Sequence, residues 1–161
     1  MADFGKWSQK GIPHRGWLFV GEESLDRPDE TCQICERGKI RFVHIMKHPE
    51  YPDILRCGRD CAGRMEGDPA AADARDNRMR NAARRRRKFL TRKTWKTSQN
   101  GDLHIGLDGY RVIVSRNPNG YGVAVVLPKV LQVILRISFD TASAAKRAAF
   151  DKVMELKAAR R

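Results

Sequence analysis

Apolar and polar positions change period several times along the chain, and each change predicts an element. Gly16-Trp17-Leu18-Phe19-Val20-Gly21 is a short apolar run between glycines and predicts a strand. Residues 22–30 predict an acidic loop around Pro28. From Ile40 to Met46 the residues alternate, with Ile40, Phe42, His44 and Met46 on one face and Arg41, Val43 and Ile45 on the other. That period of two predicts a second strand. Pro49 and Pro52 make His48 to Pro52 a turn, and Ile54 to Gly58 returns as an antiparallel strand. Asp60 caps a short helix through Met65. Asp68 followed by Pro69 opens a longer one, an N-cap with proline at the first helical position. This helix runs to about Lys88. Its apolar stripe is thin (Ala71, Ala72, Met79, Ala82, Ala83, then Phe89 and Leu90), so it lies largely in solvent or on a partner.

The polar run Lys96 to Gly101 reads as a boundary. Beyond it Leu103 to Leu107 alternates, Asp108-Gly109 is a hairpin dipeptide, and Tyr110 to Ser115 is a strand. Residues 117–120 form a second turn and Tyr121 to Leu127 a third strand. Val130 to Phe139 reads as a fourth strand or a short helix, with its β-branched content favouring the strand. Asp140 or Thr141 caps a last helix to about Ala159, whose stripe is Ala145, Ala149, Val153 and Leu156, widened by Phe150 and Met154. The expected class is α+β: a small metal-binding module, a basic helix, and an antiparallel sheet of three to four strands with a C-terminal helix. The expected divisions are a flexible arm at 1–15, the metal-binding module at 16–68, the basic helix and linker at 69–96, and the α+β domain at 97–161. Within the arm Trp7 is either an anchor or solvent-exposed.

Charge adds a partner class. The chain has 32 basic and 19 acidic residues, a formal net charge of +13, which favours a polyanionic partner. The excess is patterned: Arg75 to Lys96 holds eleven basic residues and one acidic, whereas Glu22 to Glu30 holds five acidic and one basic. No run of about 18 apolar residues is present, so no membrane span is expected. The opening MADFGKWSQKG lacks the apolar core of a signal peptide. The expected location is therefore cytoplasmic, or nucleoid or nuclear, and not secreted, with reduced cysteines.

All four cysteines fall between Thr31 and Met65, as Cys32 and Cys35 (C-x2-C) and Cys57 and Cys61 (C-x3-C), with 21 residues between the pairs. Two thiolates on a tight turn and two more at a strand end and one helical turn on can fill the four positions of a structural zinc. The competing readings are buried core cysteines, disulfides and a redox pair. A site in which His44 or His48 replaces a cysteine also stays open. Arg37, Lys39, Arg56 and Arg59 offset part of the thiolate charge. The order of parts from Cys32 to Met65 resembles a treble-clef zinc finger: a knuckle with two cysteines, a hairpin, then a helix supplying the last two ligands. That resemblance implies zinc bound by Cys32, Cys35, Cys57 and Cys61, and it leaves the function open.

The run ARRRRKFLTRKTWK carries the functional signal. Consecutive arginines point all around a helix, and phosphate contact is their natural use. The expected contacts are Arg84, Arg85, Arg86, Arg87, Lys88, Arg92, Lys93 and Lys96. Trp95 either closes the core of the second unit or stacks on a base. The second unit resembles the three-stranded DNA-binding domains of the integrase N-terminal and plant AP2-like kind, with FDTASAAKRAAFDKV as a loose echo. The resemblance implies that Arg111, Ser115, Arg116 and Asn119 lie on an exposed sheet and read nucleic acid, while Tyr110, Val112 and Val114 face the helix. The expected function is non-catalytic binding of DNA or RNA. The competing classes are an adaptor or inhibitor for an acidic protein, with a homodimer possible through residues 130–139, and a metal-dependent nuclease using His44.

Overall fold

Two apolar layers, one in each half of the chain, organise the computed structural model, which describes residues 4–161. The chain divides after Ala83 into two compact units. Its architecture is α+β, with antiparallel sheets throughout.

The first unit begins with a 3-10 turn at Gly5–Ser8, which buries Trp7 within the stretch expected to form an arm. Strand β1 (Leu18–Ser24) follows, then β2 (Glu30–Thr31), β3 (Lys39–Ile40), β4 (Phe42–His48) and β5 (Tyr51–Cys57). Helices α1 (Arg59–Glu66) and α2 (Pro69–Leu90) come next. The sheet order is β1-β4-β5, and β2 pairs only with β3. Phe19, Met46 and Leu55 are in register across the three strands. Around Met46 and Leu55 the core gathers Trp7, Trp17, Ile34 and Met65. Trp17 is locked from both ends: its indole N–H donates to the Pro13 carbonyl at 2.8 Å and its backbone N–H to that of Met65.

Two expectations are corrected here. β1 continues through Glu22 and Glu23, where the acidic run predicts a loop. They are held there by ion pairs, Glu22 with Arg78 and Glu23 with Arg56. β5 begins at Tyr51 and includes Pro52, read as turn; it is an edge strand, where a missing N–H costs least. The helix junction follows the sequence closely. Gly67 takes φ +79° and returns its N–H to the Gly63 carbonyl, ending α1. One residue on, the Asp68 carboxylate accepts from Ala71 N–H at 3.0 Å and Pro69 starts α2.

The second unit continues from the last turns of α2 into β6 (Lys96–Thr97), β7 (Leu103–Leu107), β8 (Tyr110–Asn117), β9 (Gly120–Leu127), β10 (Leu131–Phe139) and α3 (Ala142–Ala159). The strands form a meander in the order β10-β9-β8-β7-β6. The expected three to four strands are thus five. Leu131–Phe139 is a full strand, and Lys96–Thr97, within the polar boundary, adds a short fifth. Asp108 and Gly109 both take positive φ, as a two-residue primed hairpin turn requires. Thr141 caps α3 by accepting from Ala144 N–H.

Alternation sorts this sheet into two faces. Ile105, Val112, Val125 and Val133 form one inner row and Leu103, Val114, Val123 and Leu135 another. Ala145, Ala149, Phe150 and Val153 of α3 share one core with these rows, joined by Phe89 from the end of α2. Tyr110, Val112 and Val114 do face this core. Phe89 is fully buried and packs on Phe150 and Trp95 at ring separations of 5.5 and 5.1 Å. Phe89→Ala should cost about 3–5 kcal/mol, from lost burial plus the cavity left behind. Chemical denaturation followed by hydrogen exchange should place that loss in β7–β9 and α3.

Candidate metal centre and basic surface

Three elements bring the thiols together. Cys32 and Cys35 sit on the turn between β2 and β3, closed by Glu36 N–H donating to the Cys32 carbonyl at 2.9 Å. Positive φ at Glu36 and Gly38 reverses the chain there. Cys57 ends β5 opposite His44, and Cys61 lies in the first turn of α1. The N-terminal segment closes over the knuckle through Lys6 N–H to the Ile34 carbonyl at 2.7 Å. A Cβ at Gly5 would stand 2.7 Å from the Cys35 backbone, so only glycine permits that approach.

All four cysteines are free thiols. The sulfurs of Cys32, Cys35 and Cys61 lie within 4.8 Å of one another, and no histidine or carboxylate joins them among the described residues. Cys57, fully buried, hydrogen-bonds to Cys32 and stands outside that group of three. Its thiol and that of Cys61 push the Cys32 sulfur far below the usual thiol range, helped by the N–H groups of Cys35 and Gly58. Cys57 and Cys61 are pushed up in return, first by their hydrogen bonds to Cys32 and then by burial. A convergent set of soft sulfur donors fits a divalent metal of the zinc type, so the cluster can chelate a metal ion.

A concavity of about 460 Å³ opens beside the cluster, where Cys32, Cys35 and Cys61 meet Arg37, Lys39, Arg59 and Arg80. Arg56, expected to offset thiolate charge, is committed elsewhere. It reaches both carboxylate oxygens of Glu30, at 2.8 and 2.7 Å, and Glu23 at 2.7 Å.

Both histidines have structural partners. His48 Nδ1 accepts from Glu50 N–H at 3.0 Å, and its ring packs on Trp17. His44 has no exposed surface. Its Nδ1 accepts from the Arg75 Nε–H at 3.5 Å, whereas its Nε2 faces Asp76 at 3.7 Å without a hydrogen bond. Burial, with Arg75 beside it, pushes the His44 pKa down. Arg75 in turn pairs with Glu66, and Asp76 with Arg80 at 2.5 Å. This network was missed in the sequence. The one available signal was Asp76, the lone acid in a basic run.

The arginine run divides into two sets. Arg85 pairs with Asp108 at 3.2 Å, and Arg86 grips both oxygens of Asp151 at 2.8 and 2.6 Å. Lys157 joins Asp108, and these cations hold its carboxyl below the usual range. Arg84, Arg87 and Lys88, spaced three and four apart, share another face of the helix. They are exposed, as are Arg92, Lys93 and Lys96, and none of the six makes an ion pair among the described residues. Trp95 packs on Phe89, donates its indole N–H to the Phe89 carbonyl at 2.7 Å, and sits under Lys146.

Arg111 and Ser115 lie on the outer face of the sheet, away from the core shared with Phe89. Arg116, also exposed, and Asn119 lie at or beside the β8–β9 turn. The expected contacts therefore do not converge on one face. No helix among the described residues is long and apolar enough to cross a membrane. Comparison with known proteins adds no relative: no family model, curated protein or solved structure matches the chain.

Protein prepared without chelator should contain about one zinc per chain. Stripping it should release amide protection in β4, β5 and α1 while β7–β9 stay protected, because binding energy in such modules is folding energy. Unchanged exchange after chelation would rule out a structural metal here.

Proposed function

We propose that the protein binds nucleic acid, DNA or RNA, without catalysis, and that a structural zinc braces its first unit. Cys32, Cys35, Cys57 and Cys61 would hold the ion, with Cys57 as the fourth ligand. The bound zinc would cross-link the knuckle, the end of the hairpin and the start of the helix. That order of parts supports a treble-clef reading of residues 32–65.

The observation that carries the proposal is the unpaired basic row at the end of α2. Arg84, Arg87 and Lys88 lie on one exposed helical face, followed by exposed Arg92, Lys93 and Lys96. Cations left without acidic partners are available to phosphate oxygens, and each contact made releases condensed counterions. Arg85 and Arg86 have a second role in fastening the helix to Asp108 and Asp151. They remain candidates for phosphate contact, together with Arg111 and Arg116. Base recognition by the sheet would rest on Arg111 and Ser115, whose outer face also carries small and apolar residues (Ala124, Val126, Ile134).

Binding to single- and double-stranded DNA and RNA should fall steeply with salt. Replacing Arg84, Arg87 and Lys88 together by alanine should weaken binding at all sequences and flatten the logarithmic salt slope by about 2–3, at roughly 0.9 per phosphate contact. Absence of binding near about 50 mM salt would instead favour an acidic protein as the target. Plasmid nicking with magnesium or manganese that is lost in His44→Ala would overturn the non-catalytic reading. The complete burial of His44 argues against such a base.

A further inference from the structure

A strand that ends a sheet leaves a row of unpaired N–H and C=O groups, and proteins normally protect such rows. Three of the four edges of the two larger sheets carry a protective device. β1 breaks register around Gly21 and continues into Glu22 and Glu23. β5 carries Pro52 and Asp53. β6 has only two residues, one of them Lys96.

β10 is different. It is nine residues long and contains no proline, lysine or acid. Leu131 to Leu135 pair with β9 in unbroken register, and the irregularity comes only after Leu135. Ile134 is 63% exposed, Ile137 67%, and Val130, just before the strand, 66%. On the inner face Leu131, Val133 and Leu135 are half-buried, so the apolar layer beneath the sheet thins out at this edge. An added strand would complete both the hydrogen-bond ladder and the layer.

We propose that β10 pairs antiparallel with β10 of a second copy, joining the two five-stranded sheets about a two-fold axis. Opposed residues in an antiparallel ladder share a face. The inner layer therefore continues across the junction only where residues of the same parity meet, which places the axis through a residue. An axis at Ile134 sets Ile134 against its copy and Val133 against Leu135, within the stretch of unbroken register. It also sets Arg136, the only charge on the strand, against Gln132. An axis at Arg136 would oppose like charges directly, which destabilises a ladder. Two chains of charge +13 repel at long range, and salt screens that repulsion. The dimer therefore strengthens as salt rises, opposite to any association bridged by nucleic acid.

The test is light scattering on the full chain, freed of nucleic acid and held at about 0.5 M salt, where phosphate contacts are weak. The wild type should show twice the 18.4 kDa chain mass. Ile134→Lys, which puts a lysine on the edge, should show the single-chain mass with unchanged circular dichroism. A monomeric wild type at about 100 µM (a Kd far weaker than the micromolar range) overturns the proposal. So does an Ile134→Lys protein that remains dimeric. If that variant does not fold, hydrogen exchange of the wild type decides. Protection of residues 131–135 that fades on dilution supports the pairing, and protection independent of concentration overturns it.

Discussion

The thiols of the first unit come from a knuckle, a strand end and a helix start, and the surrounding packing depends on their meeting. Ile34 is fully buried between the two knuckle cysteines, and the N-terminal segment with Trp7 closes over that knuckle through Lys6. Gly58, which begins α1, donates its N–H to the Cys32 sulfur at 3.5 Å. Met65, at the far end of the same short helix, anchors Trp17. The cysteines and both tryptophans thus share one core with Ile34, Met46, Leu55 and Met65.

Ion pairs then decide which cations are structural. Arg75 and Glu66 are both nearly or mostly buried, and removal of one partner from such a pair costs about 3–5 kcal/mol because the other charge is left stranded. Arg56 is similarly fixed by Glu23 and Glu30 at a more exposed site. In the second unit Asp108 and Asp151 occupy Arg85 and Arg86. What remains on the end of α2 is a smaller and more directional set than the sequence count suggests.

Features governed by local chemistry were legible in the sequence. The Asp68-Pro69 helix start, the Asp108-Gly109 turn, the Thr141 cap and the alternation of β8 each depend on neighbouring residues alone. The cysteine pairs and their meeting were legible because ligand spacing is itself a local constraint, whereas the place of Cys57 outside the group of three was not. β6 was invisible because two residues cannot display a period. The burial of Trp7 depends on Ile34 and its neighbours, which are distant in sequence. The division of the arginines depends on Asp108 and Asp151, 23 and 65 residues away from their partners. Helical spacing alone gives the faces of a helix but not which of them finds a carboxylate.

The three tryptophans are distributed in a way that has a spectroscopic consequence. Trp7 lies beneath Arg64 and against His14, and Trp17 against His48 and Tyr51, all in the first unit. Trp95 stands alone in the second unit, between Phe89 and Lys146. Intrinsic emission is therefore a sum of two signals with separate origins. Two fluorophores view the cysteine module and one views the root of the basic helix, so the natural chain already contains an optical reporter for each.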